Sequence, residues 1–234
     1  INEQKSMPKA IAAYDRANRE GTINLGEQSA AAGVNKFIFL SSVKVHGEQS
    51  DTPLAGPSLI APGDPYAIAK ADAEHALLSL PGDMGVTILR PPLVYGPYVK
   101  GNFLKLIHAV EGGWPLPLGN LQNRRSLIFI GNLTNAIRAS LTTPPGIYLP
   151  SDGPPISTTQ LIRYLCAALK RPTRLIPCPV SVLQLAGLVT GTSSSIQRLV
   201  GSLVVDGKIP DWTPPFNLEQ GLQEVANWRA NQNK

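Results

Sequence analysis

The chain has 234 residues, is 43% hydrophobic and 16% charged, and carries a formal net charge of +5. This is the composition of one large globular core, or one core with a smaller lobe, and it excludes a fibrous or disordered chain. The positive charge suits an anionic ligand, yet no Lys/Arg run has the density of a nucleic-acid tail, so no nucleic-acid partner is expected. No stretch approaches the ~18 apolar residues of a membrane span; the longest candidate, 180–190, is too short. Residues 1–10 are polar without a secretory h-region, and Cys166 and Cys178 could pair only once. The expectation is a reduced, cytoplasmic chain with no membrane partner.

In chain order, residues 12–32 read as a helix already under way, with apolar residues at helical spacing and Gly33 as its stop. Residues 36–42 (KFIFLSS) form a short apolar run entering polar residues, as a buried parallel strand does. Residues 43–63 read as a loop rich in Gly, Pro and Ser. A helix is expected over 65–79, with Pro65 in its first turn. A second buried strand follows over 86–89, ended by Arg90-Pro91-Pro92. Helix, strand, helix, strand is the order of a doubly wound α/β sheet, which binds ligands at the carboxyl ends of its strands. Ser41 and Ser42 lie at one such end and 90–96 at another. Further on, 103–110, 133–141, 158–169 and 218–230 read as helices, and 125–130 and 146–149 as strands.

Tyr66 and Lys70 are spaced i, i+4 on the expected helix and share a face. A phenol is a poor base at neutral pH, and a nearby ammonium favours its phenolate. The pair then suits proton transfer in an alcohol/ketone interconversion, with the Ser42 hydroxyl placed to bond the reacting oxygen. Taken alone, the same spacing is that of an exposed helix pair. His46, His75 and His108 lack ligand spacing and read as structural or surface residues, and no metal site is expected.

Six segments in order carry a wider resemblance: RANREGTINL (16–25), FIFLSSVKVHG (37–47), PYAIAK (65–70), LRPPLVYGP (89–97), RRSLIFI (124–130) and DWTPPFNLEQG (211–221). In these the chain resembles the NAD-dependent epimerase/dehydratase branch of the extended short-chain dehydrogenases. The resemblance implies a Rossmann-type doubly wound parallel sheet with a smaller C-terminal substrate-binding lobe. Residues 1–96 would be a partial NAD(P)-binding domain lacking its first strands, and 97–234 mainly the substrate lobe, with 125–150 returning to the first domain. Tyr66 would be the acid/base. Lys70 would hold the nicotinamide ribose and tune Tyr66, and Ser42 would orient the substrate hydroxyl. Asn18, Ser41, Pro91, Pro92, Leu93 and Val94 would flank the cofactor; Lys44, Asn102 and Arg125 would meet the sugar or its diphosphate, to which an Arg fork is suited. The cofactor implied is NAD, with NADP left open, and the partners are a UDP-sugar and a second copy of the chain, met through 12–32 and 65–79.

Three departures qualify the resemblance. The glycine-rich turn that seats the cofactor pyrophosphate does not occur in the sequence, so the chain reads as a fragment; residues also look closed up near 208–211. Val43, Lys44 and Val45 follow Ser42 where sugar 4,6-dehydratases carry an Asp-Glu pair, which disfavours dehydration. Leu93 stands where galactose-type epimerases often have Asn. The expected activity is C4 epimerisation of a UDP-hexose or UDP-N-acetylhexosamine. A 4-keto sugar-nucleotide reductase and a non-catalytic dinucleotide-binding regulator are the alternatives.

Overall fold

A computed structural model describes residues 7–232 of the chain; residues 1–6 of the expected first domain, and 233–234 of the second, lie outside the described residues. The opening helix runs in three parts: α1 (Met7–Tyr14), a π-helical turn (Asp15–Glu20) and α2 (Gly21–Ala31). It stops at Gly33, whose φ of +74° suits a residue without a Cβ. Next come β1 (Lys36–Leu40), a 3₁₀ turn (Val43–His46), β2 (Ser50–Leu54), α3 (Pro65–Leu78) and β3 (Gly85–Leu89). The carboxyl-terminal half follows as β4 (Leu93–Tyr95), α4 (Gly101–Glu111), β5 (Leu127–Phe129), α5 (Ile130–Ala139), β6 (Gly146–Tyr148), α6 (Thr158–Ala168), α7 (Val180–Val189), α8 (Ser193–Val200), β7 (Leu203–Val205) and α9 (Leu218–Gln232).

β3 is the centre of a parallel sheet of order β1-β3-β6, aligned from Lys36 with Gly85 to Leu40 with Leu89, and from Thr87 with Gly146. Burial of residues 86–89 explains why β3 reads as a continuous apolar run. On one face α3 sets Ala73 and Leu77 against Phe39, Val86 and Ile88. On the other, α5 packs Leu133 and Ala136 with Leu89, Ile128 and Trp212. α3 starts where its sequence says it should: Asp64 caps it by accepting the Ala67 amide at 2.8 Å, and Pro65 opens the first turn. A Cβ at Gly26 would overlap Leu77, so this glycine sets how closely α2 approaches α3.

The largest apolar cluster gathers Phe103 and Ile107 of α4, Leu161 and Leu165 of α6, and Leu222 and Val225 of α9. The mixed α/β fold with parallel sheets is the expected class. The expected 43–63 loop requires correction, because it contains the 3₁₀ turn and β2. β2 (SDTPL) has no apolar alternation to announce it; it is a strand because β7, about 150 residues later, pairs with it in parallel. β4, β7, α7 and α8 were likewise absent from the sequence reading.

Candidate active site

The carboxyl end of β1 builds the first wall. Ser41 continues the ladder, its amide donating to the Leu89 carbonyl at 2.8 Å, and the Val43 amide then donates to the Pro91 carbonyl at 3.0 Å. Ser42 turns the chain out of the sheet by capping the 3₁₀ turn, its hydroxyl oxygen accepting the Lys44 amide at 3.3 Å. That leaves the hydroxyl proton free to donate, and the Ser42 hydroxyl is near enough to bear on the Tyr66 phenol. Tyr66 stands in the first turn of α3, with Tyr14 of α1 edge-on at 5.7 Å between ring centroids. One turn on, Lys70 donates to the Leu40 carbonyl at 2.9 Å and sits 4.4 Å from the centre of the Phe39 ring. The structure thus brings Ser42, Tyr66 and Lys70 together around the end of β1.

Burial pushes the Tyr66 phenol up, and nearby Asp64 adds to the rise. The charge of Lys44 and the Ser42 hydroxyl oppose it. The charge of Lys44 thus bears on Tyr66, and the i+4 Lys70 is itself pulled down by burial. Lys44 reaches Asp64 at 2.5 Å and Glu48 at 2.9 Å. Burial works against its charge, but the two carboxylates outweigh it and Lys44 rises. Burial raises Asp64, yet Lys44 and the capped Ala67 amide outweigh that and hold it below the usual carboxylate range.

Beneath this layer lies a clamp that the sequence reading did not single out. Arg90, 1% exposed at the end of β3, donates Nη2 to Glu74 at 2.5 Å, and Nη1 to His46 Nε2 and the Gly56 carbonyl, each at 3.0 Å. His46 Nδ1 lies 2.9 Å from the Leu59 carbonyl, so the partners assign the neutral Nδ1–H tautomer. Burial and the Arg90 charge hold the imidazole below its usual range. His46 is the structural residue expected. Glu74 lies two turns beyond Tyr66 on α3, and that spacing was the signal available in the sequence.

The remaining expected residues are more dispersed. Asn18 is half-buried in the π-helical turn that packs against α3. Pro91 and Pro92 are buried, Leu93 is exposed and Val94 half-buried on β4. Asn102 is half-buried in the first turn of α4. Arg125 is half-buried, donates Nη1 to the Gly201 carbonyl at 3.0 Å, and borders a cleft of about 460 Å³ shared with Asp152, Tyr164 and Asn217. Burial lowers its guanidinium, with Glu48 and Arg198 close enough to act on it. The sequence reading missed Arg198.

The donors at the sheet end fit the nicotinamide-ribose half of a dinucleotide. The Ser41 hydroxyl is buried without a hydrogen-bond partner among the described residues, and two of the three Lys70 ammonium protons remain for a ligand once Leu40 is satisfied. Both lie at the carboxyl end of a parallel strand, where such sheets bind nucleotides.

Comparison with known proteins agrees. The model of the NAD dependent epimerase/dehydratase family matches residues 4–149. A UDP-glucose 4-epimerase of Vibrio cholerae is 39% identical over 238 residues, covering 97% of this chain and 72% of that protein. The solved UDP-N-acetylglucosamine 4-epimerase of Methanobrevibacter ruminantium M1, in complex with UDP-N-acetylmuramic acid, superposes with a TM-score of 0.75 at 22% identity, covering 99% of this chain and 76% of that one. A Bordetella bronchiseptica enzyme solved with NAD gives 0.71 at 18% identity; this chain covers 65% of its length and 92% of this chain is matched. The chain belongs to the NAD dependent epimerase/dehydratase family, a family of enzymes that depend on NAD.

Proposed function

We propose that the protein is a nucleotide-sugar epimerase that inverts C4 of a UDP-hexose or UDP-N-acetylhexosamine. The observation that carries the reading is the gathering of Ser42, Tyr66 and Lys70 around the carboxyl end of β1, with Lys44 beside them. The 39% identical UDP-glucose 4-epimerase supports the substrate class.

A sugar 4-hydroxyl seated between Ser42 and Tyr66 is bonded from both sides. Tyr66 takes its proton as the carbon is oxidised and returns it when the alcohol is rebuilt. Ser42 and Lys44 both favour the phenolate that this requires, against burial. Lys70 would hold the nicotinamide ribose through its free ammonium protons, and Ser41 with the backbone of 91–94 would flank the ring. NAD, when bound, supplies the place to which hydride leaves C4 and from which it returns. Turning of the sugar between loss and return of its proton presents the opposite face, and the epimer results. Arg125 would hold the diphosphate by its guanidinium fork.

Incubation of the full-length protein with UDP-N-acetylglucosamine and catalytic NAD, followed by NMR, is expected to yield the galacto epimer. Absence of the epimer, together with oxidation of added NAD(P)H by a 4-keto sugar nucleotide, would instead make the protein a reductase. Three subsidiary readings accompany this one. Residues 1–96 serve the cofactor and 97–234 mainly the sugar nucleotide, with 125–150 returning to the first unit. The protein works in the cytoplasm. It forms a homodimer through residues 12–32 and 65–79, which expose Leu25, Ile68 and Leu78; a monomer by light scattering at micromolar concentration overturns this last reading.

A further inference from the structure

Three segments far apart in sequence meet along one seam. The Ser50 amide donates to the Ser202 carbonyl at 2.9 Å, and the Leu203 amide donates to the Arg124 carbonyl at 2.8 Å. Residues 201–203 therefore run between 50 on one side and 124 on the other. A Cβ at Gly201 would stand 2.7 Å from Gln49 Nε2, so the chain just after Glu48 lies against it. Along this seam two cations hold one carboxylate, and a third cation is anchored at Gly201, three residues beyond Arg198. Glu48 holds Lys44 at 2.9 Å through Oε1 and Arg198 at 3.3 Å through Oε2. Arg125, fastened to the Gly201 carbonyl, is close enough for Glu48 and Arg198 to act on its charge.

The second carboxylate, Asp64, is committed. It caps α3 through the Ala67 amide and also holds Lys44, so its release would unpick the helix that carries Tyr66. Glu48 carries no such duty, and its side chain is 39% exposed. With both carboxylates in place the five groups sum to one positive charge; with Glu48 turned away they sum to two. A nucleotide diphosphate arriving at Arg125 and Arg198 brings two or more negative charges, and Glu48 repels them while it shares Arg198.

We propose that Glu48 is a displaceable counter-ion, which occupies Arg198 in the ligand-free protein and cedes it to the diphosphate of the nucleotide sugar. This rests on the reading of Arg125 as a diphosphate residue, and it makes Glu48 an affinity-setting residue that opposes binding. An exchange of this kind keeps the Arg198 guanidinium paired until a ligand takes it, and it gives preference to ligands anionic enough to win the competition.

The test is titration calorimetry with UDP on the full-length protein and on Glu48→Gln, Arg198→Met and Arg125→Met, with uridine as the probe lacking phosphate. Glu48→Gln is expected to bind UDP about three- to fivefold tighter, the scale of one partly exposed ion pair, with uridine unchanged. Arg198→Met and Arg125→Met are expected to weaken UDP toward uridine. If both Arg variants weaken UDP while Glu48→Gln leaves it unchanged or weaker, the counter-ion role is overturned and the diphosphate reading stands. If UDP binds no better than uridine and the Arg variants change nothing, the diphosphate reading falls and takes this inference with it.

Discussion

The end of the β1-β3-β6 sheet and the seam at 201–203 are built on opposite principles. At the sheet end, Ser42 caps a turn two residues beyond β1, and Tyr66 and Lys70 share one face of α3, so short-range geometry decides which atoms meet. At the seam, Arg125 reaches a carbonyl 76 residues away and Arg198 a carboxylate 150 residues away. A site made from local spacing can be read from a chain in order; one made from distant segments exists only once the chain has folded. The sheet end also rests on a buried clamp, whereas the ion pairs of the seam are partly exposed. The first is rigid by construction and the second is free to rearrange.

That contrast can be broken in three places. Tyr66→Phe removes the proton donor and keeps the ring that Tyr14 packs against; turnover is expected to fall by roughly 10²–10⁴ while UDP binding at the seam is unaltered. Joint loss of both would show that the two regions are not separable. Arg90→Met leaves Glu74 buried without its partner and frees His46, Gly56 and the loop they hold. Removal of one member of such a pair costs about 3–5 kcal/mol, measurable by urea unfolding; a loss below about 1 kcal/mol would mean that the clamp is no firmer than a surface pair. The smallest effect concerns pH. Burial holds His46 below its ordinary value of 6.5, so the unfolded chain takes up a proton there before the folded one does. The stabilisation is complete above about 6.5 and is lost as pH falls below it toward the folded value. His46→Gln is expected to remove this step from a plot of unfolding free energy against pH, and persistence of the step would assign it to another group.

Much of the sheet end was legible. KFIFLSS gives a buried strand entering polar residues, and PYAIAK gives a helix start with both candidate side chains one turn apart. The electrostatics were less so. Spacing along α3 points to Lys70 as the cation that tunes Tyr66; in the fold the Lys70 ammonium also meets the Leu40 carbonyl, and Lys44, on a different element, adds its charge. An i, i+4 rule states which side chains share a face; it does not state which acceptor a long flexible chain will choose. β2 and β7 were illegible for another reason: five residues such as SDTPL acquire strand conformation from a partner, not from their own pattern. Arg198 sits on a short helix and meets Glu48 from far along the chain, and no local signal marks it.

The π-helical turn at Asp15–Glu20 has a consequence for how this chain can tolerate change. Such a turn is an α-helix holding one residue more than its pitch allows. Loss of a single residue there would leave a regular, hydrogen-bonded helix and no local defect. It would, however, rotate the helix upstream of it by about 100° about the axis, carrying Tyr14 off the Tyr66 ring while α2 stayed where it is. The chain between α1 and α2 is thus length-sensitive in a way that no point substitution reveals. An insertion or deletion of one codon in that stretch is expected to be harsher than most of the side-chain changes around it.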